Sequence, residues 1–189
     1  MFNAPRAPEI PDHLETERLL LRAMRAGDGA MINAAVHESF DQLHRWMAWA
    51  RTRPSLGESE THARESAARW RLREELNYVI LRRGDYAFVG SCGYHTIDWT
   101  VPRLEIGYWL HTAMQGQGYM TEAVREMTAF AFERLHAERL EIRCDARNRA
   151  SAAVAERAGY TLEAVMRHQA RDHHGDLRDT LVYSRIRGE

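Results

Sequence analysis

Residues Glu105–Ala123 (EIGYWLHTAMQGQGYMTEA) impose the tightest constraint on how this chain folds. A strand over Arg103–Leu110 runs into a turn containing Gly116 and Gly118, and the turn opens a long helix. In that helix Met120, Ala123, Val124, Met127, Phe130 and Ala131 fall at i, i+3, i+4, i+7, i+10 and i+11, one face of a 3.6-residue period. The first amides of a helix lack internal partners and lie at the positive end of its dipole. A strand, a glycine turn and a helix N-terminus therefore form an anion cradle suited to a pyrophosphate. Glycine at both turn positions leaves the backbone open to such a ligand. The spacing fits neither phosphate-binding fingerprint: GxGxxG fails at Thr121, and no GK[ST] occurs. On its own the turn is equally consistent with a plain tight connection.

The rest of the chain alternates strand and helix patterns. Leu19–Leu21 reads as a first strand, and Asp28 as the cap of a helix carrying Met31, Ile32, Ala35 and Val36. A short aromatic segment follows at Leu43–Trp49, and a second helix spans about Glu58–Leu76. Strands are expected at Asn77–Leu81, Phe88–Ile97 and Arg103–Leu110, then after the long helix at Leu140–Asp145. A short helix over Asn148–Ala158 ends at Gly159, and strands Tyr160–Gln169 and Leu177–Ile186 close the chain. This order predicts a mixed α/β architecture, a central and largely antiparallel sheet flanked by helices. The length of 189 residues predicts one domain over 1–189. Three prolines predict an irregular arm over residues 1–13.

Composition removes several classes of chemistry. All 26 basic residues are Arg, so lysine Schiff bases, pyridoxal-lysine enzymes and Walker phosphate loops are excluded. The formal charge of −1 argues against a nucleic-acid partner. Two cysteines, Cys92 and Cys144, form no CxxC pair, and no metal site is expected. The prolines and acidic residues at the start do not resemble a signal peptide, and no apolar run approaches membrane-spanning length. The expectation is a cytoplasmic protein with no membrane partner.

Six segments carry a family resemblance: TERLLLR (Thr16–Arg22), HRWMAW (His44–Trp49), EIGYWL (Glu105–Leu110), GQGYMTEA (Gly116–Ala123), NRAS (Asn148–Ser151) and AGYTLEA (Ala158–Ala164). In this order, across residues 14–186, they resemble the GNAT superfamily of acyl-CoA-dependent N-acetyltransferases, and most closely its ribosomal-protein N-acetyltransferase branch. That family's [Q/R]xxGx[G/A] signature is met at Gln115 and Gly118, while Met120 departs from its last position.

The resemblance implies a GNAT-like fold, acetyl-CoA as co-substrate, and direct transfer of acetyl to a primary amine. It assigns the cofactor to Gln115, Gly116, Gln117, Gly118, Tyr119, Met120 and Thr121, to the backbone of Trp109 and Leu110, and to Asn148. Ser151 is implied as proton donor to the leaving thiolate. On residue type alone Asn148 is a helix N-cap and Ser151 an ordinary first-turn residue. Where the branch often carries a late Glu as base, this chain has Ala170. Glu105 is the first candidate to take the amine's proton, with His168 or water as alternatives. Arg143, Arg147 and Arg149 are candidates for the 3′-phosphate of CoA.

His173 and His174, with Asp172 and Asp176, read as a solvated loop rather than a metal cluster. Cys92 and His95 read as strand packing, because side chains three apart on a strand face opposite sides. The expected acceptor is a protein or peptide N-terminal amine, with a small-molecule amine as the alternative. A non-catalytic acyl-CoA-binding module and a ribosome-binding protein without chemistry are the rivals from other classes. The resemblance leaves a homodimer open.

Overall fold

The computed structural model describes residues 10–189. The chain runs β1 (His13–Glu15), β2 (Leu19–Ala23), α1 (Gly29–Glu38), α2 (Phe40–Trp46), α3 (Leu56–Leu72), β3 (Leu76–Arg82), β4 (Phe88–Asp98) and β5 (Arg103–Leu110). A short 3-10 turn over Thr112–Met114 leads to α4 (Tyr119–Glu133), β6 (Arg139–Asp145), α5 (Arg149–Arg157), β7 (Thr161–Arg171) and β8 (Leu177–Ile186). Eight strands form one sheet in the order β1-β2-β3-β4-β5-β6-β8-β7. Every neighbouring pair is antiparallel except β5 and β6. The mixed, mostly antiparallel sheet flanked by helices agrees with the sequence reading. Of the expected irregular arm, residues 1–9 lie outside the described residues, and His13 already belongs to β1.

Helices cover both faces of the sheet. The apolar stripe of α4 is fully used: Met120, Ala123, Val124, Met127, Phe130 and Ala131 are all buried. They pack against Tyr78, Ile80, Tyr94, Leu104 and Ile106 of the central strands. On the opposite face Val79 meets Ile32 and Val36 of α1, Leu43 of α2 and Ala63 of α3. Strand β3 is buried along six of its seven residues, as a strand covered on both sides must be.

Two helix starts differ from the sequence reading. Asp28 occupies the N-cap position of α1 but makes no cap bond. Its buried carboxylate takes both Arg22 guanidinium nitrogens, at 2.6 and 2.8 Å, and the Arg25 amide at 2.9 Å. A charge-assisted bidentate pair outcompetes a neutral amide for a carboxylate removed from water. Glu60 of α3 serves the vacated end instead, accepting from the Gly27 and Gly29 amides at 3.0–3.2 Å. Helix α3 starts at Leu56 and stops at Leu72, earlier at both ends than the pattern suggested. A capping box between Ser55 and Glu58 sets its start, and Arg73 at φ +60° ends it.

The feature that positions the site is a splay in the sheet. Strand β5 pairs with β6 only over Arg103–Glu105, against Arg139–Glu141. Beyond that point β6 continues along β8, while β5 stays with β4.

Candidate active site

The open edge of β5 is polar backbone. The His111 amide donates to the Val89 carbonyl at 2.9 Å. With Gly90 opposite Leu110, this makes that pair non-hydrogen-bonded, so the main-chain groups of Leu110 point away from β4. The same holds two residues earlier at Tyr108. Both therefore present an N–H and a C=O to the splay, where no strand among the described residues pairs with them. The N–H and C=O of Trp109 point the other way, towards Ser91. Of the two backbone contacts expected, Leu110 faces the opening and Trp109 does not; Tyr108 takes its place.

The anion cradle stands at the end of this edge. Gly116 and Gly118 both have positive φ, +72° and +79°. Gly118 is the N-cap of α4, and the first helical bond runs from the Glu122 amide to its carbonyl. Among the described residues the amides of Gly118, Tyr119, Met120 and Thr121 have no partner. Arg18 braces the turn: it donates to the Gln117 carbonyl at 3.0 Å, pairs with Glu122, and lies 4.7 Å over the Tyr119 ring.

Edge and cradle line one cavity of about 560 Å³. Of the expected cofactor residues, Trp109, Leu110, Gln115, Gly116, Gly118, Tyr119, Met120, Thr121 and Asn148 line it, as does Ser151. Gln117 does not; its carbonyl faces Arg18 instead. Asn148 caps α5 by accepting from the Ser151 amide at 3.1 Å, which holds Ser151 at the first turn. The Tyr108 phenol reaches Ser151 from β5, 3.1 Å from its Oγ and 3.1 Å from its carbonyl oxygen. Burial pushes the Tyr108 pKa up, so the phenol keeps its proton at neutral pH. Sequence reasoning passed over Tyr108. Its signal was a hydroxyl-tipped ring on the apolar stripe Leu104, Ile106, Leu110.

Glu105 is not brought to this cavity. It stands where β5 still pairs with β6, near Glu141 and Arg143, and burial raises its pKa. His168 sits at a bulge in edge strand β7, its amide bonded to Asp179, and likewise does not line the cavity. Arg147 is held by Asp145 and Asp172, Arg143 reaches Met166, and neither they nor Arg149 line the cavity. Arg157 of α5 lines it instead, with Nε 3.4 Å from the Thr121 hydroxyl. Among the described residues no cluster of His, Cys, Asp and Glu is arranged to hold a metal ion.

A second cavity of about 470 Å³ lies on the other side of β5 and shares Met47, Tyr108 and Trp109 with the first. His173 fixes part of its wall. Its ring stacks on His44 with centroids 4.5 Å apart, and its Nε2 lies 3.0 Å from the Met47 carbonyl oxygen. The loop read as solvated is thus in part a brace.

Comparison with known proteins agrees with this geometry. The acetyltransferase (GNAT) domain family matches residues 18–161. YdaF of Bacillus subtilis (strain 168), a ribosomal N-acetyltransferase by name, is 27% identical over 92% of this chain and 93% of its own. The structure of RimL, a ribosomal L7/L12 alpha-N-protein acetyltransferase in complex with coenzyme A, superposes with a TM-score of 0.85. It is 26% identical, covering 94% of this chain and 97% of that one. The microcin C7 self-immunity acetyltransferase MccE, in complex with acetyl-CoA and AMP, also gives 0.85 over 94% and 97% of the two chains; at 22% identity that likeness is one of fold. With a family match across most of its length, the chain belongs to the GNAT acetyltransferases and is an acyltransferase.

Proposed function

We propose that the protein transfers the acetyl group of acetyl-CoA to a primary amine, the α-amine at a protein or peptide N-terminus. The observation that carries this reading is the unpaired edge at Tyr108 and Leu110 running into four partnerless amides at the start of α4. An extended pantetheine arm extends a sheet edge as an added strand does. A diphosphate at its end reaches the helix N-terminus.

In this reading Gly118–Thr121 hold the diphosphate and Arg157 adds a cation beside it. The Leu110 or Tyr108 amide polarises the thioester carbonyl and stabilises the oxyanion as the amine attacks. Tyr108 and Ser151 lie at the thiol end, where a hydroxyl proton neutralises the departing thiolate. The amine arrives through the second cavity, which meets the first at Tyr108 and Trp109. RimL, named for α-N-protein acetylation, supports an N-terminal amine as the acceptor class.

The test is a melting shift with acetyl-CoA, then thiol release with N-terminal peptides and free amines. Protection together with peptide-dependent thiol release supports the reading. Protection with no release from any amine favours an acyl-CoA-binding module without chemistry.

A further inference from the structure

The second cavity carries more information than its position. Its walls are apolar: Ile32, Val36, Met47 and Trp49 contribute to them. Its polar lining holds two carboxylates and two imidazoles: Glu75, His62 and His95 lie together, and Glu58 serves the capping box of α3. The chain has 26 arginines, and among the described residues none lines it. Such a chamber favours a positive charge at one end and an apolar body along the rest.

His95 lies against β5 beside Gly107. A Cβ built on Gly107 would lie 2.9 Å from its Cδ2 and 3.1 Å from its Nε2. Gly107 directly precedes Tyr108, whose backbone opens to the thioester side, so the missing side chain is what gives the imidazole its place. On the other side of the ring Nδ1 lies 3.9 Å from Glu75. Glu75 is itself held by Arg69 at 3.3 Å and Asn77 at 3.2 Å. A proton on Nδ1, facing the carboxylate, leaves the Nε2 lone pair free.

We propose that this chamber takes a primary amine carried on an apolar body, and that His95, with Glu75 as its positioning residue, removes the ammonium proton. The inference rests on acetyl-CoA binding in the neighbouring cavity. The N–H bond of the ammonium breaks and its proton moves to Nε2. The freed nitrogen lone pair forms a bond to the thioester carbon, and the C–S bond breaks with its electron pair on sulfur. The second nitrogen proton passes through the Tyr108–Ser151 hydroxyls to the thiolate. The imidazolium then returns its proton to water, and the products are the amide, the free thiol and one proton.

Burial lowers the His95 pKa, so the ring is neutral at pH 7 and its Nε2 can accept a proton. The charged groups facing it are Glu75 before β3, His62 and Arg69 of α3, and its cross-strand neighbour Glu105. Glu75 raises the His95 pKa, while His62 and Arg69 lower it.

Two ligand sets test the proposal once acetyl-CoA has been shown to protect the protein from heat. The first consists of CoA S-acetyl conjugates ending in phenylethylamide, leucinamide or serinamide. We expect the phenylethyl and leucyl conjugates to bind at least ~10-fold tighter than acetyl-CoA, and Trp49→Ala to remove that gain. The leucyl arm alone binding tighter identifies a peptide source; the phenylethyl arm alone identifies a free amine. Conjugates that bind no tighter than acetyl-CoA, or serinamide binding best, overturn the apolar class.

The second set is turnover of phenylethylamine and a leucyl peptide across pH. His95→Gln lowers kcat about 100-fold or more at pH 7, changes KM less than about threefold, and abolishes the acid limb of the profile. Glu75→Gln keeps that limb but moves it to lower pH, because the carboxylate that favoured the imidazolium is gone. If His95→Gln retains the limb, or Glu105→Gln alone removes it, His95 is not the base. Failure of acetyl-CoA to protect the protein overturns the acetyl-transfer reading itself, and this one with it.

Discussion

At the scale of single residues, the site works by pairing groups that are far apart in the chain. Tyr108 and Ser151 are 43 residues apart, yet their hydroxyls lie 3.1 Å from one another. In the proposed reaction either hydroxyl can serve as the proton donor, so removing one is milder than removing both. Ser151→Ala should lower kcat about 10- to 100-fold while leaving acetyl-CoA affinity nearly unchanged, checked by thiol release and melting shift. Equal turnover in the variant would take Ser151 out of the chemistry. Asp28 makes a different point: a residue chosen as a cap for its type is instead claimed by Arg22, and Glu60, 33 residues from Gly27, does the capping. Asp28→Ala would leave the half-buried Arg22 guanidinium without its partner. A loss of about 3 kcal/mol by denaturant unfolding is the expected outcome.

At the scale of elements, helix starts carry both stability and function. The α3 start is a closed capping box in which Ser55 accepts from the Glu58 amide and Glu58 accepts back from Ser55. Ser55→Ala should cost about 1 kcal/mol and lower Tm by about 2–4 °C, read by calorimetry. The α4 start is left open. Gly118 has φ +79°, and a Cβ there would stand 3.5 Å from the Arg18 guanidinium. Gly118→Ala should cost about 1–2 kcal/mol in backbone strain and weaken acetyl-CoA binding, measured by titration calorimetry. A variant that loses stability but keeps full affinity would show that the diphosphate does not sit on these amides. One helix thus spends N-terminal amides on a cap, while among the described residues the other leaves its own without a partner.

At the scale of the whole molecule, one parallel pairing in an antiparallel sheet creates the cleft. Strand β6 parts from β5 after Glu105 and follows β8, and the first cavity opens at the gap between them. Acetyl-CoA at a hundred times its dissociation constant should add about 2.7 kcal/mol, raising Tm by about 5–10 °C in a melting assay. The strand and helix order, the α4 stripe and the glycine turn were legible in the sequence, because they depend on local period and on backbone preferences of nearby residues. The segment Gln115–Thr121 that the family signature marks belongs to that class, and all of it but Gln117 lines the cavity. What the tertiary structure alone decided was which groups face one another. Backbone parity in the β4–β5 ladder turned Tyr108 and Leu110, not Trp109, to the opening. Pairing of β5 with β6 as far as Glu105 kept that residue out of the opening, and the absent side chain of Gly107 gave His95 its place in the second cavity. Such facings depend on register and on contacts between distant segments, whereas period and propensity act over a few neighbouring residues.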